Sequence, residues 1–296
     1  MPRSLALLCL LVATVIWGFA FIAQKTAMDV MGPLTFMAGR YLLGGLVILP
    51  LALYENARRP EPLTGRQWAL IGFLSVNFFM GSWLQQAGLL YTTVTNSGFL
   101  TGLYVFFVPL ILLVVFRTPP SRLVWLAVPI ALFGLFLLNG ATLDGFNQGD
   151  LLVIGSAVFW ALQVLVLGFL ARETGRPVFI SAISFLAAGL LSAGGAFAFE
   201  APTLQAVQLG WVEILYAGLL STAIGFTLQA VGQQHVPPAN AAIILSAETL
   251  FAALGGAVIL GERLPGAGYA GAALIFAAIL LVEVIPQFKR KAAVLG

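Results

Sequence analysis

Residues Leu84–Gly88 read LQQAG, and residues Leu228–Gly232 read LQAVG, 144 positions further on. The same offset relates Pro33 to Pro177, Gly45 to Gly189, Gly81 to Gly225 and Asn96 to Asn240, and an offset of 143 relates Trp17 to Trp160 and Trp68 to Trp211. In so apolar a composition any one match is chance. A constant spacing near half of the 296 residues that strikes Trp, Pro, Asn and Gln reads as a duplication.

Each half is too apolar to be a soluble domain. Hydrophobic residues make up 60% of the chain and charged residues 8%, against roughly a quarter charged in soluble proteins. A membrane-spanning helix needs about 20 apolar residues, so ten spans would use most of the chain. Charges and prolines place them. The first covers 5–27; the second runs from Pro33, a residue suited to a first helical turn, to Tyr54. Glu55–Arg66 is a loop, and the fifty residues Gln67–Phe116 carry no Asp, Glu, Lys or Arg, which suits two spans joined near 91–95. Further spans are expected at 122–139, 150–171, 177–199, 209–231, 238–260 and 265–285. Because five is odd, the second half enters the membrane from the opposite side. The expected fold is an all-α polytopic membrane protein of ten transmembrane helices in two inverted five-helix repeats, 1–140 and 145–288, with a basic tail at 289–296. Inverted repeats place a binding site near the midplane and support alternating access.

Charge asymmetry supports the count. With ten spans, one face holds Arg3, Arg58, Arg59, Arg66, Arg117, Arg122, Arg172, Arg176, Lys289, Arg290 and Lys291. The other holds Asp29, Asp144, Asp150, Glu200 and Glu262, with Lys25 and Arg263 as its basic residues. Lysine and arginine collect on the cytoplasmic side, so both termini are expected there. The opening MPRSLALLCLLVA resembles a signal peptide, but the apolar stretch continues to Ala23 and reads as a retained first helix.

One Cys (Cys9) and one His (His235) exclude an intrachain disulfide. They also exclude an H-E-x-x-H site, and no lysine lies in a G-x-x-x-x-G-K phosphate loop. No cofactor, metal, ATPase or nucleic-acid partner is expected; His235, in QQHVPPAN, reads as a turn residue.

Depth selects the candidate site. A residue about ten positions into a span lies near the bilayer centre, and Glu248 is ten after Pro238. A carboxylate there is costly and usually faces a cavity or partner; it would contact an amine or carry a proton, or be a protonated acid bonded within the bundle. At the offset of 144 its counterpart is Tyr104. Trp17 and Trp160 lie at mid-depth, where they would wall a cavity or pack helices. Gln85 with Gln229, Asn77 with Ser221, and Gln163 add buried polar groups that serve a substrate or bond helix to helix. Asn96 and Asn240 fit helix caps. Arg40, about 10 Å into the second span, would attract an anion or snorkel, and Lys25 is expected to snorkel. Pro109 and Pro129 should kink their helices. Gly44–Gly45 and Gly255–Gly256 fit internal packing or dimerisation, and the abundant Phe is expected to face lipid.

Long stretches then resemble a known family. TVIWGFAF (Thr14–Phe21), PLTFMAGRYLLGG (Pro33–Gly45) and TNSGFLTGLYVFFVP (Thr95–Pro109) are similar to the first repeat of EamA-type members of the drug/metabolite transporter superfamily. GDLLVIGSAVFWALQ (Gly149–Gln163) and ANAAIILSAETLFAALGGAVILGERL (Ala239–Leu264) resemble the second. Thr118 stands where the LGE pattern would align an acid in the first repeat. The resemblance implies export of small metabolites across the bacterial inner membrane, and the general likeness is to YddG-type amino-acid exporters. The expected substrate-binding residues are Trp17, Arg40, Asn77, Gln85, Tyr104, Trp160, Gln163, Ser221, Gln229 and Glu248, around a small-molecule substrate. Rival readings are efflux of lipophilic cations or drugs, a passive channel, and an intramembrane hydrolase, for which no nucleophile constellation is present.

Overall fold

Local chemistry sets the start of several helices. Pro33, Pro177 and Pro238 open three of them. Thr64 with Gln67, and Asn147 with Asp150, form capping boxes that satisfy the exposed N–H groups of two more. The computed structural model describes residues 1–138, 147–263, 266–283 and 285–286. Asp144 and the tail 289–296 lie outside the described residues.

The segments are α1 (Arg3–Ala27), α2 (Pro33–Ala57), α3 (Gly65–Gly88), α4 (Val94–Val114), α5 (Arg122–Leu138), α6 (Gln148–Thr174), α7 (Pro177–Phe199), α8 (Trp211–Gln233), α9 (Pro238–Ile259) and α10 (Gly266–Glu283). A short helix, Leu204–Leu209, precedes α8. Among the described residues eight of these are long and apolar enough to cross a membrane. The other two stand in the expected third and fifth places: α3 is 24 residues long and more polar, and α5 has 17 residues.

Packing runs between the halves of the chain rather than within them. α2 lies along α7, α5 along α10, α3 along α6, and α1 along α8 and α9. Glycines set the closest crossings. A Cβ on Gly44 would stand 2.7 Å from the Gly218 carbonyl oxygen, and one on Gly134 2.8 Å from that of Gly271. Gly45 meets Leu186, Gly255 meets Ile22, and Gly256 meets the Glu262 carboxyl, so both expected small-residue runs serve internal packing.

α4 and α9 are each broken at the same repeat position. α4 divides into Val94–Thr101 and Tyr104–Val114, α9 into Pro238–Leu245 and Glu248–Ile259. The backbone tightens there to i→i−3 bonds, Leu103 to Leu100 and Val105 to Gly102 in one, Ala247 to Ile244 and Thr249 to Ser246 in the other. Mid-helix tightening of this kind marks hinges and functional sites. The α4 break therefore falls at Gly102–Leu103, well before Pro109, whose expected kink is not where the helix divides. A second irregularity is one-sided: Tyr216–Phe226 in α8 winds as a π-helix, whereas 72–82 in α3 keeps α geometry.

Carboxylates from distant segments cap the N-termini of α2 and α4. Glu200 accepts from the Leu34 and Thr35 N–H groups at the start of α2, each at 2.8 Å, and from the Thr35 hydroxyl. Glu262 of the LGERL motif does the same for Val94 and Thr95 at the start of α4, each at 3.0 Å. Thr118 provides no matching acid for α9; there Glu283 accepts from the Asn240 amide at 2.8 Å and pairs with Arg3 at 2.9 Å. Asn240 and Asn96 thus act as tethers to neighbouring segments rather than caps, Asn96 reaching Asp150 of α6. A lost cap costs about 1 kcal/mol, and Glu262 serves two N–H groups. Glu262→Ala is expected to lower the thermal unfolding midpoint in detergent; an unchanged midpoint would show the cap to be dispensable.

Candidate functional site

The two helix breaks bring one residue from each half to the centre of the bundle. Tyr104 and Glu248 are each the first residue after a break. The Tyr104 hydroxyl lies against the Glu248 carboxyl without the geometry of a hydrogen bond. They share one cavity with Trp17, Arg40, Gln85, Trp160, Gln163, Ser221 and Gln229. Its volume is about 50 Å³.

The lining is aromatic and amide-rich. Phe226 is its hub, with ring centroids 4.5 Å from Trp17, 5.8 Å from Trp160 in a stacked arrangement, and 5.0 Å from Phe78. Both indoles spend their N–H on protein, as buried Trp usually does: Trp17 donates to the Ser221 carbonyl at 3.1 Å and Trp160 to Gln85 Oε1 at 2.6 Å. Gln163 and Gln229 exchange two amide hydrogen bonds, each 3.1 Å.

Arg40 points inward. Its guanidinium donates to Ser221 Oγ at 2.9 Å and lies over the rings of Tyr41 and Phe36, at 4.8 and 5.6 Å. Its Nε, buried, has no partner among the described residues. Glu248 is 5% exposed, and Arg40 and Glu248 form no salt bridge with each other. One cavity therefore holds a guanidinium and a carboxyl group that are not paired with each other.

Nine of the ten expected site residues line this cavity. Asn77 does not: its amide donates to the Phe159 carbonyl at 2.8 Å and ties α3 to α6. The Lys25 ammonium donates to the carbonyls of Leu89 and Thr92, in the connection between α3 and α4. His235 is exposed in the connection between α8 and α9. Trp68, Trp125 and Trp211 are partly exposed near helix ends, as belt residues are. The expectation that Phe faces lipid holds for Phe197 and Phe199, but Phe21, Phe78, Phe185 and Phe226 are buried. Lining residues not anticipated include Phe21, Gln24, Tyr41, Ser82, Thr101, Val164, Phe226 and Leu245. Helical spacing could have found most of them. Phe21 and Gln24 follow Trp17 by four and seven residues, and Thr101 and Leu245 precede Tyr104 and Glu248 by three, all same-face intervals.

Two stretches, 4–140 and 147–284, each match the profile of the EamA-like transporter family. The chain belongs to this family. Relatives of this EamA-like transporter agree over almost its whole length. An "uncharacterized transporter" of Archaeoglobus fulgidus is 30% identical over 281 residues, 95% of this chain and 86% of that one. The Bacillus subtilis transporter YwfM is 28% identical, covering 99% of this chain and 98% of its own. A protein of Salmonella typhimurium named "probable amino-acid metabolite efflux pump" is 26% identical over the full length of both. A solved crystal structure superposes with a TM-score of 0.78 at 19% identity, covering 97% of this chain and 99% of that one, a likeness of fold. The protein is a multi-pass membrane transporter with a central cavity.

Proposed function

We propose that this transporter exports amino acids and related small metabolites across the bacterial inner membrane by alternating access around the central cavity. The observation that carries the reading is the separate presence of Arg40 and Glu248 in one lining. A buried charge without a partner is costly. A zwitterion satisfies both at once, its carboxylate toward Arg40 and its ammonium toward Glu248, while Trp17, Trp160 and Phe226 receive an apolar side chain. The name of the Salmonella relative points to the same substrate class. In this reading all ten segments cross the membrane as two inverted halves, and the Lys/Arg asymmetry sets both termini in the cytoplasm.

A lipophilic cation would find Glu248 but would also meet Arg40, which disfavours it. Counterflow decides the matter. Purified protein in liposomes preloaded with unlabelled amino acids should take up a subset of the labelled counterparts saturably. Exchange of quaternary amines with none of the amino acids would overturn the assignment, and ionic conductance would count against a carrier.

A further inference from the structure

α1 and α6 each end in a cation that grips the backbone of another helix, and the two grips are built alike. Lys25 Nζ donates to the carbonyls of Leu89 and Thr92, at 2.7 and 3.0 Å, where α3 runs into α4. Arg172 donates to the carbonyls of Gln233, at 3.0 Å, and Val236, where α8 runs into α9. The carbonyls are repeat mates, 89 with 233 and 92 with 236, at the offset of 144. The cations are not: Arg172 stands three residues beyond the position that corresponds to Lys25.

A second bond returns in each case. Gln86 Nε2 donates at 2.8 Å to the carbonyl of Gln24, the residue before Lys25. Gln234 Nε2 donates at 2.7 Å to the carbonyl of Ala171, the residue before Arg172. Helix ends leave such carbonyls unpaired, and a cation is favourable beside them. Here the cation comes from a different helix, so the bond also fastens two helices together.

The two fastenings are at opposite ends of the bundle. Asp150, near the start of α6, accepts from the hydroxyl of Thr92, one of the residues gripped by Lys25. Arg172 is 22 residues further along the same helix, about 33 Å at 1.5 Å per residue, close to the thickness of a bilayer core. The fastened helices are also cavity walls. α1 and α3 supply Trp17, Gln24 and Gln85, while α6 and α8 supply Trp160, Gln163 and Gln229.

We infer that Lys25 with Gln86 and Arg172 with Gln234 are the two gate latches of the transport cycle, one for each membrane face. The inference rests on the alternating-access reading. Both latches are closed in this structure, and the cavity between them is narrow. Opening toward the Lys25 face parts α1 from the α3–α4 connection; opening toward the other parts α6 from the α8–α9 connection. Lys25 and Arg172 act as positioning residues and touch no substrate.

The test needs no substrate, so it fails independently of the amino-acid assignment. Thr101 lines the cavity with its hydroxyl unpartnered among the described residues, and Thr101→Cys in a Cys9→Ala background provides a reporter thiol. A membrane-impermeant thiol reagent is applied to each face of oriented vesicles in turn. Lys25→Met should speed labelling from the Lys25 face about ten-fold, with little change from the opposite face, and Arg172→Met should do the reverse. Lys25→Arg and Arg172→Lys should restore slow labelling. Gln86→Leu and Gln234→Leu, which keep the cations, should shift labelling in the same directions by less, and serve if a methionine variant fails to fold. Equal acceleration from both faces, or none from either with the variants folded, would overturn the inference. Sided labelling together with absent amino-acid counterflow would retain the latches and reject the substrate.

Discussion

Glu248→Gln is expected to lower amino-acid counterflow by about ten- to a hundred-fold, the range set by one charge-assisted hydrogen bond. The substitution keeps volume and shape, and among the described residues no side chain or backbone group makes a hydrogen bond to the Glu248 carboxyl. Folding therefore loses little, and gel filtration in detergent should show an unchanged monodisperse species. What changes is the acid presented to the cavity, and with it the partner for a substrate ammonium. Arg40→Gln should give the complementary defect. In that variant an amine lacking the carboxylate would compete as well as it does in the parent, while the parent amino acid would not. In Glu248→Gln the N-acylated acid should be the less affected competitor. This crossed pattern separates recognition from general damage, because misfolding would depress all competitors alike. Unchanged exchange of every substrate by Glu248→Gln would remove that residue from the site.

Much of this arrangement was legible because membrane insertion imposes strong rules on sequence. Apolar length, proline position and the Lys/Arg bias placed the helices, and depth along a helix singled out Trp17, Trp160, Tyr104 and Glu248. The duplication supplied the pairing of Tyr104 with Glu248, which the helix breaks then turned into a shared position at the cavity. The breaks themselves had no signature: Gly102–Leu103 and Ser246–Ala247 are dissimilar pairs, and tightening to i→i−3 bonds is a backbone event. The π segment of α8 has the same apolar character as its regular counterpart in α3. The bonds of Lys25 are hidden for a related reason. Its partners are carbonyls, which every residue possesses, so no side-chain pattern announces them. Asn77 was grouped with Ser221 by the offset, but in the structure one bonds α6 while the other receives Arg40. At this pair the duplicated positions have diverged in their contacts.

Gly18→Val should be the most damaging single substitution on α1, lowering both the unfolding midpoint and the transport rate. Gly18 lies one residue past Trp17, where α1 crosses α9 at closest approach. A Cβ built on it would sit 2.8 Å from the Glu248 carbonyl oxygen and from the Phe251 carbonyl carbon, and closer still to Phe251 Cβ. Real Cβ atoms do not approach backbone so closely, and the obstructing atoms are not the far end of a flexible chain. The helices must separate. Overpacking of this kind costs about 1–3 kcal/mol, and valine adds branched bulk beyond the Cβ. The separation acts on function at the same point, since the backbone that moves is that of Glu248 itself, at the start of the second half of α9. Gly18→Ala probes the effect with a single methyl group and should fall between parent and valine in both measurements. Gly194 is the control: among the described residues nothing lies within 4 Å of its Cβ position, so Gly194→Ala should lower neither midpoint nor counterflow. If Gly18→Val unfolds at the parental temperature and transports normally, α1 and α9 are not in contact at Gly18, and the geometry that holds Glu248 in the cavity would have to be abandoned.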